Sequence, residues 1–144
     1  MENIKPEKRI VDFIKKHHVL TLATKSENEL WCANCFYVYD EEENSLIFTS
    51  DIDTRHVSEA LKNNFVAGSI VLETSVIGKI QGIQFQGNFV KPENKKLKTA
   101  KTHYLLRFPF ATLMNTTLWV VELTYIKMTD NRLGFGKKLI WKKS

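Results

Sequence analysis

Proline and glycine are scarce in these 144 residues, three and six respectively, about half of their usual joint share of ~12%. That scarcity excludes collagen-like and low-complexity disordered chains. Cysteine is scarcer still, at two, too few for the disulfide framework of a small secreted domain. No apolar run approaches the ~18–20 residues that a membrane-spanning helix needs. Residues 1–9 lead into an amphipathic stretch and not into the apolar core of a signal peptide. The expectation is a cytoplasmic protein with no membrane partner. At ~100–200 residues per domain, residues 1–144 make one domain.

What the chain does carry is unevenly spread charge. The formal net charge of +5 conceals a net of −4 over residues 1–90 and of +9 over residues 91–144. A strongly basic part attracts phosphate, whether on nucleic acid, a membrane surface or a phosphorylated small molecule.

Periodicity divides the chain into short elements. Ile10, Phe13 and Ile14 share one face of an amphipathic helix over 6–18. Strands are expected over 19–24, 31–39 and 45–49, separated by polar or acidic turns, with 31–39 apolar on both faces and so covered on both. The stretch from Ser50 to Thr54 offers N-cap residues for a short helix over 55–63. Strands follow over 66–72 and 78–90, the second with glycines that mark a bulge or a barrel corner. A basic helix runs from Lys91 to about Leu106, where Pro109 forces the preceding residue out of the α region, and strands over 118–129 and 133–141 close the chain. The order of these elements gives a mainly β (α+β) fold: an antiparallel sheet closed into a small β-barrel with helices at the rim.

Several motifs lead nowhere. Cys32 and Cys35 are spaced like a zinc or dithiol pair, but an offset of three on a strand puts them on opposite faces with Cα atoms ~10 Å apart. No second cysteine pair exists and the four histidines lack ligand spacing, so no metal is expected. Gly134 to Lys138 resembles part of a phosphate loop, but Asn131 stands where a Walker motif requires glycine. Thr54-Arg55-His56 is the sharper signal: a hydroxyl, a guanidinium and an imidazole at a helix start suit a phosphate dianion.

Taken with Leu30 to Asn34, Gly82 to Gly87, Arg107 to Pro109 and Thr129 to Trp141, that signal gives nearly the whole chain a resemblance to a known family. The chain resembles the pyridoxamine 5′-phosphate oxidase-like FMN-binding split barrels, and more closely their YhbP-like group. The resemblance implies a homodimer with FMN in a groove at the subunit interface and a small-molecule electron partner. It implies that Thr54, Arg55 and His56 hold the FMN phosphate, with His56 where the family has lysine. It places Thr49 and Ser50 at the polar strand end near that phosphate, Asn34 and Phe36 on the strand lining the flavin, and Gln84 at the pyrimidine edge. The oxidase's C-terminal Arg-x-His pattern is absent, so pyridoxamine phosphate oxidation is not expected. Flavin would supply the redox chemistry and the protein binding and tuning. The alternatives are a basic barrel binding nucleic acid through Lys95, Lys96, Lys98 and Lys101 with stacking aromatics, and a related barrel holding haem or another ring.

Overall fold

The computed structural model describes residues 4–113 and 117–144; the first three residues of the N-terminal stretch read above lie outside them. Helix α1 (Lys8–Lys16) forms as its apolar spacing predicts and buries Ile10, Val11, Phe13 and Ile14. Two residues later the chain enters β1 (Val19–Ser26), which pairs antiparallel with β2 (Glu29–Asp40) down to Ser26 opposite Glu29, leaving a two-residue turn. The acidic turn then leads into β3 (Ser45–Ser50), and α2 (Arg55–Lys62) follows. Strands β4 (Phe65–Val71) and β5 (Gln81–Val90), helix α3 (Lys95–Arg107) and strands β6 (Thr117–Asp130) and β7 (Lys138–Lys142) complete the chain.

The sheet runs β3-β2-β1-β4-β5-β6-β7, every pairing is antiparallel, and β3 pairs again with β6. That last pairing closes six strands into a barrel with β7 appended. Strand β6 manages both roles by length: Thr117 to Glu122 face β3, and Tyr125 to Thr129 face β7. The fold class is the expected mainly β barrel with helices around it.

The barrel interior holds Leu20, Leu22, Tyr37, Phe48, Phe85, Trp119 and Ile126, with α1 packed against the same cluster. Burial of side chains of this size contributes roughly 1.5–3 kcal/mol each. Tyr37 Oη donates to the Ile14 carbonyl at 2.6 Å, tying α1 to β2 through a buried polar contact. A second cluster of Val38, Ile47, Ala100, Tyr104 and Leu118 seats α3 on the outside of the barrel. Among the described residues no helix is long and apolar enough to cross a membrane.

Three sequence expectations need adjustment. Strand β2 is covered on both faces only over its last four residues, Tyr37 to Asp40; Leu30, Cys32, Asn34 and Phe36 are exposed. Strand β5 begins at Gln81 and not at 78, because Ile77–Lys79 forms a 3-10 turn. Strand β7 begins at Lys138 and not at 133, because Asn131–Leu133 is another such turn and Gly134 and Gly136 follow with φ of 130° and 72°. The expected glycine bulge does occur, where the β5–β6 register shifts between Gln86 and Gly87. A Cβ on Gly87 would lie 2.6 Å from the Glu122 carbonyl oxygen, so close backbone approach requires glycine there.

Candidate functional site

Strands β2 and β3 part company along their length. Their ladder ends at Tyr37 opposite Phe48, while β3 continues to Ser50 paired with β6. Among the described residues, β2 has only β1 as a strand partner from Glu29 to Phe36. The opening lies beside the start of α2 and the end of α3, and Ser50 and His56 of the expected site residues meet at it.

Ser50, His56 and Cys35 form its polar floor. His56 Nε2 lies 2.8 Å from Ser50 Oγ, and the Cys35 thiol lies 3.8 Å from Ser50 Oγ and 3.9 Å from His56 Nε2. Trp119 Nε1 donates to the Ser50 carbonyl at 2.9 Å and fixes the end of β3 from inside the barrel. Burial pushes the His56 imidazole below its ordinary range and the Cys35 thiol above its own. At neutral pH this floor is uncharged and offers hydrogen bonds only. Cys32 is exposed and Cys35 buried, as the strand offset required, and both are free.

Arg55, the first residue of α2, turns toward the start of β2. Its guanidinium stacks 4.2 Å over the Trp31 ring. Its Nε donates to Glu59 at 2.8 Å and its Nη2 reaches Glu29 at 3.4 Å. Glu59 is buried and also accepts from Thr24 Oγ1 at 2.9 Å, and the Arg55 hydrogen bond holds its carboxyl below the usual range. One guanidinium therefore meets two carboxylates beside a neutral imidazole. With Lys62 also bearing on Glu59, the charges around Arg55 balance, and the helix start is not a free cation. Thr54 departs from expectation too: its hydroxyl donates to the Asp51 carbonyl at 2.7 Å and makes no side-chain cap on α2.

The other expected residues face elsewhere. Thr49 Oγ1 lies 3.1 Å from Tyr104 Oη on the α3 side. Phe36 is 60% exposed, with its ring centroid 5.9 Å from that of Phe108. Asn34 bonds Thr21 on the outer sheet face, and the registers run Asn34, Thr21, Ser69, Gln84 across four strands. Asn34 and Gln84 thus share one row, but three strand spacings apart, ~14 Å. The structure brings Ser50 and His56 together at Cys35, sets the Arg55 side chain on Trp31, Glu29 and Glu59 nearer the start of β2, and leaves Gln84 on a distant strand. Among the aromatics, Trp119 and Trp141 are core, and Trp31, Phe36 and Phe135 are exposed. Arg107 is a strap: it donates to the carbonyls of Tyr37 and His17, tying α3 to β2 and to the end of α1.

The basic helix does not present an unbroken cationic face. Lys95 and Lys96 share a cavity of about 160 Å3 with Asp40, Glu43 and Glu122. Among the described residues no group of three metal-ligating side chains occurs. Sequence reading passed over a further set, Arg9, Asp130 and Arg132. Asp130 is 1% exposed and bonds both arginines. Only the barrel topology joins partners 121 positions apart.

Solved structures share this fold at low sequence identity. A heme binding protein of Mycobacterium smegmatis superposes with a TM-score of 0.77 at 16% identity, over 96% of this chain and 59% of its own length. An FAD-binding protein of Mesorhizobium loti gives 0.69 at 10% identity, over 89% of this chain and 97% of that one. The FAD binding protein of Mycobacterium smegmatis gives 0.68 at 18% identity, over 89% and 96%. The chain matches no protein-family model. Sequence relatives are much nearer: a UPF0306 protein of Photorhabdus laumondii is 42% identical over 131 residues, 91% of this chain and 92% of the relative. Another, from Serratia proteamaculans, is 38% identical over 141 residues and 98% of both. With identity of this order along almost its entire length, the chain belongs to the UPF0306 protein family.

Proposed function

We propose that this protein is a flavin-binding split barrel that holds FMN at the opening between β2 and β3, works as a homodimer, and exchanges electrons with a small molecule. The observation that carries the reading is the contact of Ser50 with His56 at that opening, with Arg55 the neighbouring residue at the start of α2, in a fold shared with FAD-binding proteins. Bound flavin supplies one- and two-electron redox chemistry, which the side chains alone do not.

The residues present fit a phosphate on one condition. Glu59 is buried and fixed by Thr24, so it stays on Arg55 Nε and orients the guanidinium. Glu29 is 74% exposed at its side chain and sits at 3.4 Å, so it is the carboxylate that a phosphate displaces. Arg55 Nη groups, the Ser50 hydroxyl and His56 Nε2 then hold the phosphate, with Thr54 at the helix start beside them. Phe36 and Asn34 lie on the face of β2 opposite to Cys35, so the ring reaches them only by passing over the strand, and Thr49 backs the strand end from the α3 side. Gln84 belongs to the same outer face and is the outlying member of the set.

The carboxylates on Arg55 also favour a second reading, a haem or another ring that needs no phosphate grip, as in the heme binding protein that shares the fold. The visible absorption spectrum of the purified protein separates the two. A flavin reading requires yellow protein or saturable quenching of added FMN fluorescence, weakened at least about tenfold in Arg55→Ala, since a charge-assisted bond is lost. A colourless protein that leaves FMN fluorescence untouched refutes it, and a haem-type spectrum on reconstitution supports the second reading.

A further inference from the structure

The opposite end of the barrel carries the reverse arrangement of charge. Registers set Gln81 and Asp130 beside Gly82, which pairs with Val71, level with the start of β1; Glu29 faces the end of β1 at Ser26. Asp130 has a side chain with no exposed surface. Its Oδ1 accepts from the Arg132 backbone N–H at 3.0 Å and from Arg132 Nε at 3.0 Å. Its Oδ2 accepts from Arg132 Nη2 at 2.8 Å and from Arg9 Nη1 at 3.1 Å. Four donors fill the carboxylate.

Among the described residues the guanidiniums are not filled in return. Each has five N–H groups; Arg132 commits two to Asp130, and Arg9 one. Arg9 and Arg132 are 39% and 51% exposed at their side chains. They border a groove of about 530 Å3 whose other walls are Phe13, Gln81 and Lys16. Lys8 and Asp12, also on the groove, neutralise each other at 2.6 Å. The remaining charges are Arg9, Arg132 and Lys16 against Asp130 and Glu7, an excess of one positive charge.

A link between α1 and the turn after β6 needs one arginine on one carboxylate. Two arginines on the same buried carboxylate leave further N–H groups of both guanidiniums at the border of the groove, and guanidiniums take up a planar oxyanion through paired N–H bonds. The groove has the volume of a small-molecule site, larger than a lone inorganic ion requires. We propose that this groove binds a small molecule through a carboxylate or phosphoryl end group held between Arg9 and Arg132, with Lys16 adding charge and Gln81 a hydrogen bond.

The test is an amide chemical-shift titration of the full chain with inorganic phosphate and, separately, with citrate. Saturable shifts confined to Arg9, Gln81, Arg132 and their neighbours are expected with at least one anion, and the stronger responder identifies the end group. Arg9→Gln should weaken binding about tenfold or more. Lys16→Gln, which touches neither Asp130 nor an arginine, should weaken it about threefold. Arg55→Ala should leave it unchanged, so this site and the flavin reading fail independently. Shifts that grow without saturating, or affinity unchanged in Lys16→Gln, overturn the proposal, the latter even where Arg9→Gln does not fold.

Discussion

Replacing Asp130 by asparagine probes the most concentrated charge network in the protein, and the structure fixes both the size of the effect and its pH range. The Arg132 side-chain hydrogen bonds, with help from the Arg132 backbone N–H and Arg9, hold the Asp130 carboxyl down at about 2, against an ordinary 3.8. At 1.36 kcal/mol per pKa unit the full shift amounts to roughly 2 kcal/mol. Its two partners are 39% and 51% exposed at their side chains, so solvent screening reduces the expected contribution to about 1–2 kcal/mol. A carboxylate whose folded-state pKa is depressed contributes stability that is complete above the unfolded-state value and is lost as pH falls through the folded-state one. For Asp130 that range runs from just below 4 down to about 2. Urea unfolding followed by tryptophan fluorescence should therefore find the variant about 1–2 kcal/mol less stable at pH 7, with the gap closing across that acid range. Other carboxylates titrate there too, but they do so in both proteins and cancel in the difference. Parallel stability curves for wild type and Asp130→Asn between pH 4 and 2 would refute the reasoning.

Three further outcomes follow from the geometry. Glu29→Gln removes the displaceable carboxylate from Arg55, and FMN titration by fluorescence quenching should show about two- to fivefold tighter binding; weaker binding contradicts the assigned role. Burial lowers the His56 pKa from 6.5, so acidification below that value adds a positive charge beside Ser50. FMN affinity should rise more steeply with falling pH in wild type than in His56→Gln, and equal slopes exclude the imidazole from the phosphate site. Gly87→Ala forces a Cβ to within 2.6 Å of the Glu122 carbonyl oxygen and 2.7 Å of Val121 Cγ1. Thermal or urea unfolding should register about 1–3 kcal/mol of lost stability, against no measurable loss if the β5–β6 bulge can widen freely.

The barrel was legible because its signals are local. Alternation on β1 and β2, the helical spacing of Ile10, Phe13 and Ile14, and Pro109 ending α3 after Arg107 depend on neighbours in sequence. The misplaced strand ends depend on distant ones. Residues 77–80 look like the opening of β5, but Asn131 donates from its side chain to the Ile77 carbonyl and from its backbone to the Ile80 carbonyl. Those bonds keep the segment in a turn beside the one that follows β6. No window of sequence around 78 contains that information.

The candidate sites divide along the same line, with one exception that was open to inspection. Arg55 and Glu59 stand four apart on a short helix, the spacing at which opposite charges pair, so half of the neutralisation of Arg55 was readable before any coordinates. The other half, Glu29, required knowing that the β1–β2 hairpin returns past α2. Regional charge misleads here for a physical reason: salt bridges set the field within a few ångströms, and a sum over fifty residues does not. The acidic first ninety residues supply Arg9 to the anion-binding groove, and the basic remainder supplies its one buried carboxylate, Asp130. Counting carboxylates per guanidinium after folding distinguishes the two ends of the barrel, two to one at Arg55 and one to two at Asp130. By that ratio the end bearing Asp130 attracts an anion as it stands, and the end bearing Arg55 must first release Glu29.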